Sequence, residues 1–343
     1  MKKIVVTGGC GYIGSHTMVD LIQQGYQVVS VDSLINSDED VLDGIYRITG
    51  AHIKNHILDL TQEENVHILK ELEPDIDGII HFAALKAVGE SVQKPLLYYH
   101  NNVKSLLNIL QLISDQKIPS FIFSSSCTVY GETTKLPVSE TDPFLPTGSP
   151  YGRSKQMGEL MMQDYYLHAN IKSISLRYFN PAGAHESALI GESSINPALN
   201  LVPVITETAI RKRNSFTVFG TDYPTRDGSC IRDYIHVMDL ARAHTLALQY
   251  LEKNSSALGF EAFNLGIGEG VSVLEAIRAF EEENQLKLNY KMGERRAGDL
   301  PAMYANYEKA KKYLSWTPQQ NIRDIMRTAW AWEKVRSQPL SNY

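Results

Sequence analysis

The chain has 343 residues, too many for one small module and enough to bury a sizeable core without cross-links. Its hydrophobic fraction of 43% and charged fraction of 21% are ordinary globular values and exclude a disordered or collagen-like chain. A net charge of −6, from 33 basic and 39 acidic residues with no run of five like charges, argues against a general nucleic-acid binder, because phosphate neutralisation needs clustered Lys and Arg.

The first half alternates short apolar runs with helix-like stretches. Lys3–Thr7, Gln27–Asp32, Asp77–Ala83, Ser120–Ser125 and Ile171–Arg177 read as buried strands. Helical patterns lie between them at Ile13–Gln24, Glu63–Glu73, Leu97–Gln116 and Tyr151–His168. This alternation predicts an α/β fold with a doubly wound parallel Rossmann sheet. After about residue 180, prolines interrupt the pattern, and helices are expected near Val237–Lys253, Val271–Asn284 and Ile322–Arg336. The expectation is a Rossmann domain over 1–180 and a second, smaller mixed α/β domain over 181–343. A segment near 233–255 is placed as able to return to the first domain.

Cys10, Cys127 and Cys230 are far apart and lack a CxxC pair, so neither a disulfide framework nor a metal site is expected. The apolar run at the N-terminus is shorter than the roughly 7–15 residues of a signal peptide. No stretch is apolar over the roughly 18 residues a membrane span needs. A cytoplasmic protein without a membrane partner is the expectation.

Chemistry first shows at Thr7-Gly-Gly-Cys-Gly-Tyr-Ile-Gly14, between the first strand and the first helix. Gly8, Gly11 and Gly14 would permit a tight turn, a close backbone approach to a pyrophosphate and close helix–strand packing. Glycine triplets alone also fit a plain turn. Asp32 closes the second strand, where a carboxylate accepts from ribose hydroxyls and repels a 2′-phosphate. No Arg or Lys occurs in Ser33–Asp40, so NAD is expected rather than NADP.

Tyr151 and Lys155 open a helical pattern at i and i+4, which places them on one face. A tyrosine of pKa about 10 needs help to act as a base near neutrality, and a neighbouring ammonium supplies it. Ser126 lies at the end of a buried strand, where ligands of such sheets bind. Each part alone has a bland reading, a solvated helix face or a serine turn. Their order along one chain is far more specific.

These motifs resemble the extended short-chain dehydrogenase/reductase family and, within it, the UDP-glucose (UDP-galactose) 4-epimerases. The likeness covers nearly the whole chain. It is carried further by His81-Phe-Ala-Ala-Leu-Lys-Ala-Val-Gly-Glu-Ser-Val92, Ser124-Ser-Ser-Cys-Thr-Val-Tyr-Gly131, Arg177-Tyr-Phe-Asn-Pro-Ala-Gly-Ala184, Arg232-Asp-Tyr-Ile-His-Val-Met-Asp239 and Gly298-Asp-Leu-Pro-Ala302. The resemblance implies tightly bound NAD, reversible oxidation of a UDP-hexose at C4 through a 4-keto sugar, and a homodimer formed by helices near 97–116 and 151–168. By the same resemblance Tyr151 is the base, Ser126 binds the reacting oxygen, and Lys155 tunes Tyr151 and holds the nicotinamide ribose. Tyr12, Ile13, Asp32, Asn36, Ser37, Asp59, Leu60, Phe82, Ala83, Ala84, Lys86, Asn101 and Phe179 join the glycines as implied NAD contacts. Ser126, Tyr151, Asn180, Asn200, Leu201, Phe219, Arg232, Arg296, Asp299 and Met303 are implied to hold the UDP-sugar; two guanidinium groups suit a diphosphate.

Ser33 and Cys127 stand where the family commonly has Asn and Ala. Met303 stands at a sugar-pocket wall that is Tyr in many bacterial members and Cys in vertebrate ones, so acceptance of UDP-N-acetylhexosamines is left open. The rival readings are a nucleotide-sugar 4,6-dehydratase and a non-catalytic NAD-binding regulator. The former resembles this chain but carries an Asp-Glu pair where Cys127 and Thr128 stand.

Overall fold

The computed structural model describes residues 1–169, 172–193, 197–254, 259–296 and 298–338. In chain order the elements begin with β1 (Lys3–Thr7), α1 (Tyr12–Gln23), β2 (Gln27–Val31), α2 (Asp40–Thr49), β3 (Lys54–His56), α3 (Glu63–Leu72) and β4 (Gly78–His81). Next come α4 (Val88–Gln93), α5 (Pro95–Gln116), β5 (Phe121–Ser126), α6 (Pro150–Ala169), β6 (Ser173–Tyr178) and β7 (Asn180–Ala182). Then follow α7 (Leu201–Ala209), β8 (Phe216–Phe219), β9 (Ile231–Arg232), β10 (Tyr234–His236), α8 (Val237–Lys253) and β11 (Phe260–Leu265). The last are β12 (Val271–Ser272), α9 (Val273–Asn284), β13 (Tyr290–Gly293), β14 (Ala302–Met303), α10 (Glu308–Leu314) and α11 (Ile322–Arg336).

Seven strands form one parallel sheet in the order β11-β6-β5-β4-β1-β2-β3. Successive side chains alternate between its faces. Ile4 and Val6 join a core with Met18 and Leu21 of α1, Ile45 of α2 and Leu240 and Leu248 of α8. Val5 points the other way, into a core with Leu69 of α3, Ile109 and Ile113 of α5 and Met162 of α6. Both faces are covered, which is why the strands read as near-continuous apolar runs. The expected doubly wound sheet is present.

Smaller sheets occupy much of the chain after β6. β10 pairs parallel with β7. β9 takes β12 antiparallel on one side and β14 parallel on the other, and β13 pairs parallel with β8. A separate core gathers Ile205 of α7, Val218 of β8, Ile277 and Phe280 of α9 and Ile325 and Met326 of α11. This is the mixed α/β texture expected there. β11 nevertheless returns to the main sheet beside β6, and α8 packs on α1.

Differences from the expected elements have local causes. A single helix was expected over Leu97–Gln116; α5 starts at Pro95, and a separate α4 precedes it. Proline fits the first turn of a helix, where its missing N–H costs nothing. The strand expected at Ile171 is described from Ser173, and Ile171 lies outside the described residues. His52 and His56, spaced i and i+4, serve packing: His52 stacks on Tyr46 with ring centres 4.2 Å apart, and His56 Nε2 lies 2.9 Å from Glu73 Oε1. Of the tryptophans, Trp316 is fully buried and donates to the Asp239 carbonyl at 2.9 Å, and Trp330 packs edge-on against Phe280. No described helix is long and apolar enough to cross a membrane.

Candidate active site

The glycine turn sits between β1 and α1, at the carboxyl end of the sheet. Gly8 has φ +67°, and its N–H donates to Val31 O at 2.7 Å. A Cβ at Gly8 would fall 2.9 Å from Ala83 N, and one at Gly14 only 2.3 Å from Gly8 O. Gly11 caps α1 in extended conformation with no side-chain cap and no acidic residue in the first turn. The helix N-terminus thus has no capping side chain and no acid in its first turn, and suits a diphosphate. Asp32 follows β2; its carboxylate accepts from Cys10 N at 3.1 Å, Leu34 N at 3.0 Å and the Ser37 hydroxyl at 2.8 Å. This cradle and the oriented carboxylate beside it fit a dinucleotide with a free ribose diol.

The other residues implied for NAD surround the same strand ends. Asn36 lies with Ser37 in the loop after β2. The Asp59 carboxylate accepts from Thr61 N at 2.9 Å. Leu60 is a core side chain, and its carbonyl accepts from Asn108 Nδ2 at 2.9 Å. Phe82 N donates to Thr7 O and Ala83 N to Thr7 Oγ1, which binds the loop after β4, with Ala84 in it, to β1. Tyr12 donates to Gly183 O at 2.6 Å, Ile13 packs on the core, and Lys86 Nζ lies 5.9 Å over the Tyr12 ring. Asn101 lies on α5 and donates to Asn102 Oδ1 at 3.1 Å. Phe179 is buried beyond β6, its N–H on Leu265 O.

Ser126, Tyr151 and Lys155 come together at the ends of β5 and α6. Lys155 Nζ donates to Ser124 O at 2.6 Å and lies 5.9 Å from the Tyr151 ring centre and 4.8 Å from that of Phe123. Ser126 caps the turn that follows it, its hydroxyl accepting from Thr128 N at 3.2 Å. Burial pushes the Tyr151 phenol up to about 12; the Ser126 hydroxyl opposes this, and Cys127 adds to it. Burial also pulls the Lys155 ammonium down to about 7, opposed by the Glu159 carboxylate. Behind Lys155, Glu159 forms a buried ion pair with Arg177 at 2.7 Å and accepts from the Ser125 hydroxyl at 2.5 Å.

The residues implied for the UDP-sugar fall into two groups. Arg232 and Arg296 both reach Asp299 Oδ1, at 3.4 and 2.9 Å, and the Arg296 guanidinium lies 5.9 Å over the exposed Phe219 ring. One carboxylate against two guanidinium groups leaves a net positive charge, which suits a diphosphate. Met303 is Arg232's register partner and packs in one cluster with Cys127 and Phe179. The second group lies at the starts of β7 and α7: Asn180 N donates to Asp233 O at 2.9 Å, and Asn200 caps α7 ahead of Leu201.

Three supporting groups carried no expectation. Glu159 lies four residues beyond Lys155, so the i, i+4 stripe from Tyr151 pointed to it. Asp233, inside a quoted motif, is fully buried and accepts from Ile267 N, Gly268 N and Ala305 N at 2.7, 3.1 and 3.0 Å; it ties β10 to two other segments. Glu192 bonds both Lys86 and Asn200, and nothing in its sequence neighbourhood marks it.

The sheet order, the bare glycine-capped helix and the paired Tyr151 and Lys155 together define a nicotinamide-dinucleotide enzyme of the short-chain dehydrogenase/reductase class. A family model described as GDP-mannose 4,6 dehydratase matches residues 5–329. The UDP-glucose 4-epimerase of Neisseria meningitidis serogroup B is 46% identical over 335 residues, 97% of each chain. The crystal structure of the Stenotrophomonas maltophila UDP-glucose-4-epimerase, with bound NAD and formylated UDP-arabinopyranose, superposes with a TM-score of 0.94 at 41% identity; the match covers 98% of this chain and 99% of that one. The Bifidobacterium longum enzyme, in complex with NAD+ and UDP, gives a TM-score of 0.92 at 40% identity over 97% and 98% of the two chains. The chain belongs to the UDP-glucose 4-epimerase family.

Proposed function

We propose that the chain interconverts UDP-glucose and UDP-galactose by inverting C4 of the sugar through a 4-keto intermediate, with NAD held throughout. The observation that supports this most directly is the buried Lys155 ammonium beside the Tyr151 ring, with the Ser126 hydroxyl at the adjoining strand end. Burial alone makes Tyr151 a poor base, so the phenolate needs positive charge beside it. Lys155 supplies that charge when protonated, and Glu159 favours the protonated form. Bound NAD+ supplies a hydride acceptor that later returns the hydride. Tyr151 takes the proton from the 4-hydroxyl, while Ser126 holds the same oxygen as it becomes a ketone. Arg232 and Arg296 grip the diphosphate, with Asn180, Asn200, Leu201 and Phe219 around the nucleotide and sugar. The ketone turns about its link to the diphosphate and presents its other face, so that the hydride returned to C4 inverts that carbon while Tyr151 returns the proton to O4.

Elimination, the 4,6-dehydratase chemistry, needs an acid and a base for C5 and C6. Burial pushes the Cys127 thiol up to about 12, and Thr128 carries only a hydroxyl. The epimerase reading is therefore preferred. NAD is assigned to residues 1–180 with the returning segment after 233, and the UDP-sugar to the remainder of 181–343. A cytoplasmic homodimer is proposed with it; Leu96, Leu97 and Leu107 on α5 and Met157 and Leu160 on α6 are exposed apolar side chains for that contact. Met303, unbranched and flexible, stands where the resemblance puts the sugar-pocket wall, and the UDP-N-acetylgalactosamine arm of the test decides whether the larger sugar is a second substrate.

The test uses purified protein without added cofactor, given UDP-galactose and UDP-N-acetylgalactosamine separately, with products followed by chromatography. Conversion of UDP-galactose to UDP-glucose is expected. No conversion of either substrate, even after adding NAD+, would sink the assignment.

A further inference from the structure

None of the sequence motifs contains Glu192. Yet its side chain is only 9% exposed. Its Oε1 accepts from two donors that come from different parts of the fold. Lys86 Nζ, on the loop after β4 at the carboxyl end of the main sheet, is 3.4 Å away. Asn200 Nδ2, at the start of α7, is 3.2 Å away. Lys86 belongs to the dinucleotide side of the site and Asn200 to the UDP-sugar side, so one oxygen joins the two.

The segment that presents this carboxylate is held firmly. Ala184 and Gly191 form an antiparallel bridge, and His185 N donates to Ile190 O at 3.2 Å. Glu192 O accepts from Trp332 Nε1 of α11 at 3.0 Å. Gly191 lies so close beneath the same ring that a Cβ would fall 2.5 Å from it. Tyr12 closes the corner from the cofactor side, through its bond to Gly183 O and its place under the Lys86 ammonium. The acid is therefore fixed from behind, whereas the Lys86 side chain that meets it is 59% exposed.

We propose that Glu192 is a positioning residue that couples the dinucleotide site to the nucleotide-sugar site. This deepens the function proposed above and rests on it. A ligand that orders Lys86 settles the shared carboxylate, and Asn200 then meets its own ligand with less left to order. The same holds in reverse, because coupling between two binding sites is reciprocal. The arrangement suits an enzyme that keeps its cofactor through the cycle, since arrival of the UDP-sugar would tighten the hold on the dinucleotide.

The experiment measures the Kd of NAD+ for the full chain stripped of dinucleotide, with and without saturating UDP. For the unaltered chain, UDP is expected to tighten NAD+ about fivefold or more. Glu192→Gln keeps the size and one acceptor but removes the charge, and Glu192→Ala removes both. The UDP-induced tightening should shrink in the first and fall below about twofold in the second. A merely structural role would weaken both ligands and leave their ratio unchanged. If Glu192→Ala does not fold, Glu192→Gln decides. Tightening equal to that of the unaltered chain in the variants overturns the inference, as does absence of tightening in an unaltered chain that binds both ligands. If the unaltered chain binds neither NAD+ nor UDP, the proposed function falls first and this inference with it.

Discussion

Glu159→Gln tests whether the acid behind the catalytic helix holds that corner of the site together. The side chain is fully buried and its partner Arg177 is 4% exposed. Glu159 Oε1 accepts from Ser125 Oγ at 2.5 Å and Arg177 Nε at 3.0 Å, and Oε2 accepts from Arg177 Nη2 at 2.7 Å. Glutamine matches the volume, so no cavity confuses the result. It removes the anion and turns an amide N–H2 toward a guanidinium. Breaking a buried pair from one side costs about 3–5 kcal/mol. Glu140, whose carbonyl already accepts from Arg177 and whose carboxyl feels its charge, favours the lower half of that range. An unfolding entropy of about 2 cal/mol/K per residue makes a loss of about 3–4 kcal/mol equal to about 4–6 °C in Tm for a chain of this length. Calorimetry at a fixed NAD concentration reads it, since ligand itself shifts Tm. A second readout is the pH profile of kcat/KM. Without Glu159 the Lys155 ammonium loses its proton at lower pH, so the activity that depends on it should fall off at lower pH too. A Tm within about 1 °C of the unaltered chain, with an unmoved profile, would refute the reasoning. The double replacement Glu159→Leu with Arg177→Met should recover much of the lost stability, because it leaves no unpaired charge.

Tyr151→Phe keeps the half-buried ring and removes the base, so kcat should drop about 10²–10⁴-fold with an unchanged thermal melt; activity close to that of the unaltered chain would move the proton transfer elsewhere. Gly14→Ala places a methyl group against the Gly8 carbonyl, 2.3 Å away, and should strip the purified protein of dinucleotide; full retention would show that the turn tolerates the shift. Burial holds Lys155 at about 7 in the folded ligand-free chain, against 10.5 when exposed. Between those values the unfolded chain carries a proton that the folded chain lacks, so this group makes stability rise with pH across that window. Urea midpoints from pH 7 to 10 should show that rise in the ligand-free protein, and Lys155→Met should remove it; an identical slope in both would contradict the assigned shift.

The sheet was legible because each of its central strands is buried on both faces and so stands out as an apolar run. β3 was not: Lys54-Asn55-His56 is a short edge strand with no apolar signal. The place of β11 was hidden for another reason. Nothing local in Phe260–Leu265 says that it pairs with β6 rather than with its chain neighbours. The same division holds in the site. The glycine turn, Asp32, Ser126, Tyr151 and Lys155 declare themselves by local spacing, because turns and helix faces are local geometry. The Glu159–Arg177 pair, the three backbone donors on Asp233 and the shared oxygen of Glu192 exist only after distant segments meet. Glu159 and Asp233 could be suspected as acids in or near a motif and Glu192 could not, and in no case did the sequence show which groups would meet.

The packing of α1 against α8 also sets a timetable for the newborn chain. Met18 and Leu21 find part of their cover only in Leu240 and Leu248, and β6 gains its outer neighbour only when β11 has been made. At about 5–20 residues per second, α8 leaves the ribosome on the order of 10–40 s after α1. For that interval the first nucleotide-binding motif is present in an unfinished sheet with a greasy flank open to the cell. A fragment ending after β6 would therefore carry every glycine of the turn and still be a client for chaperones.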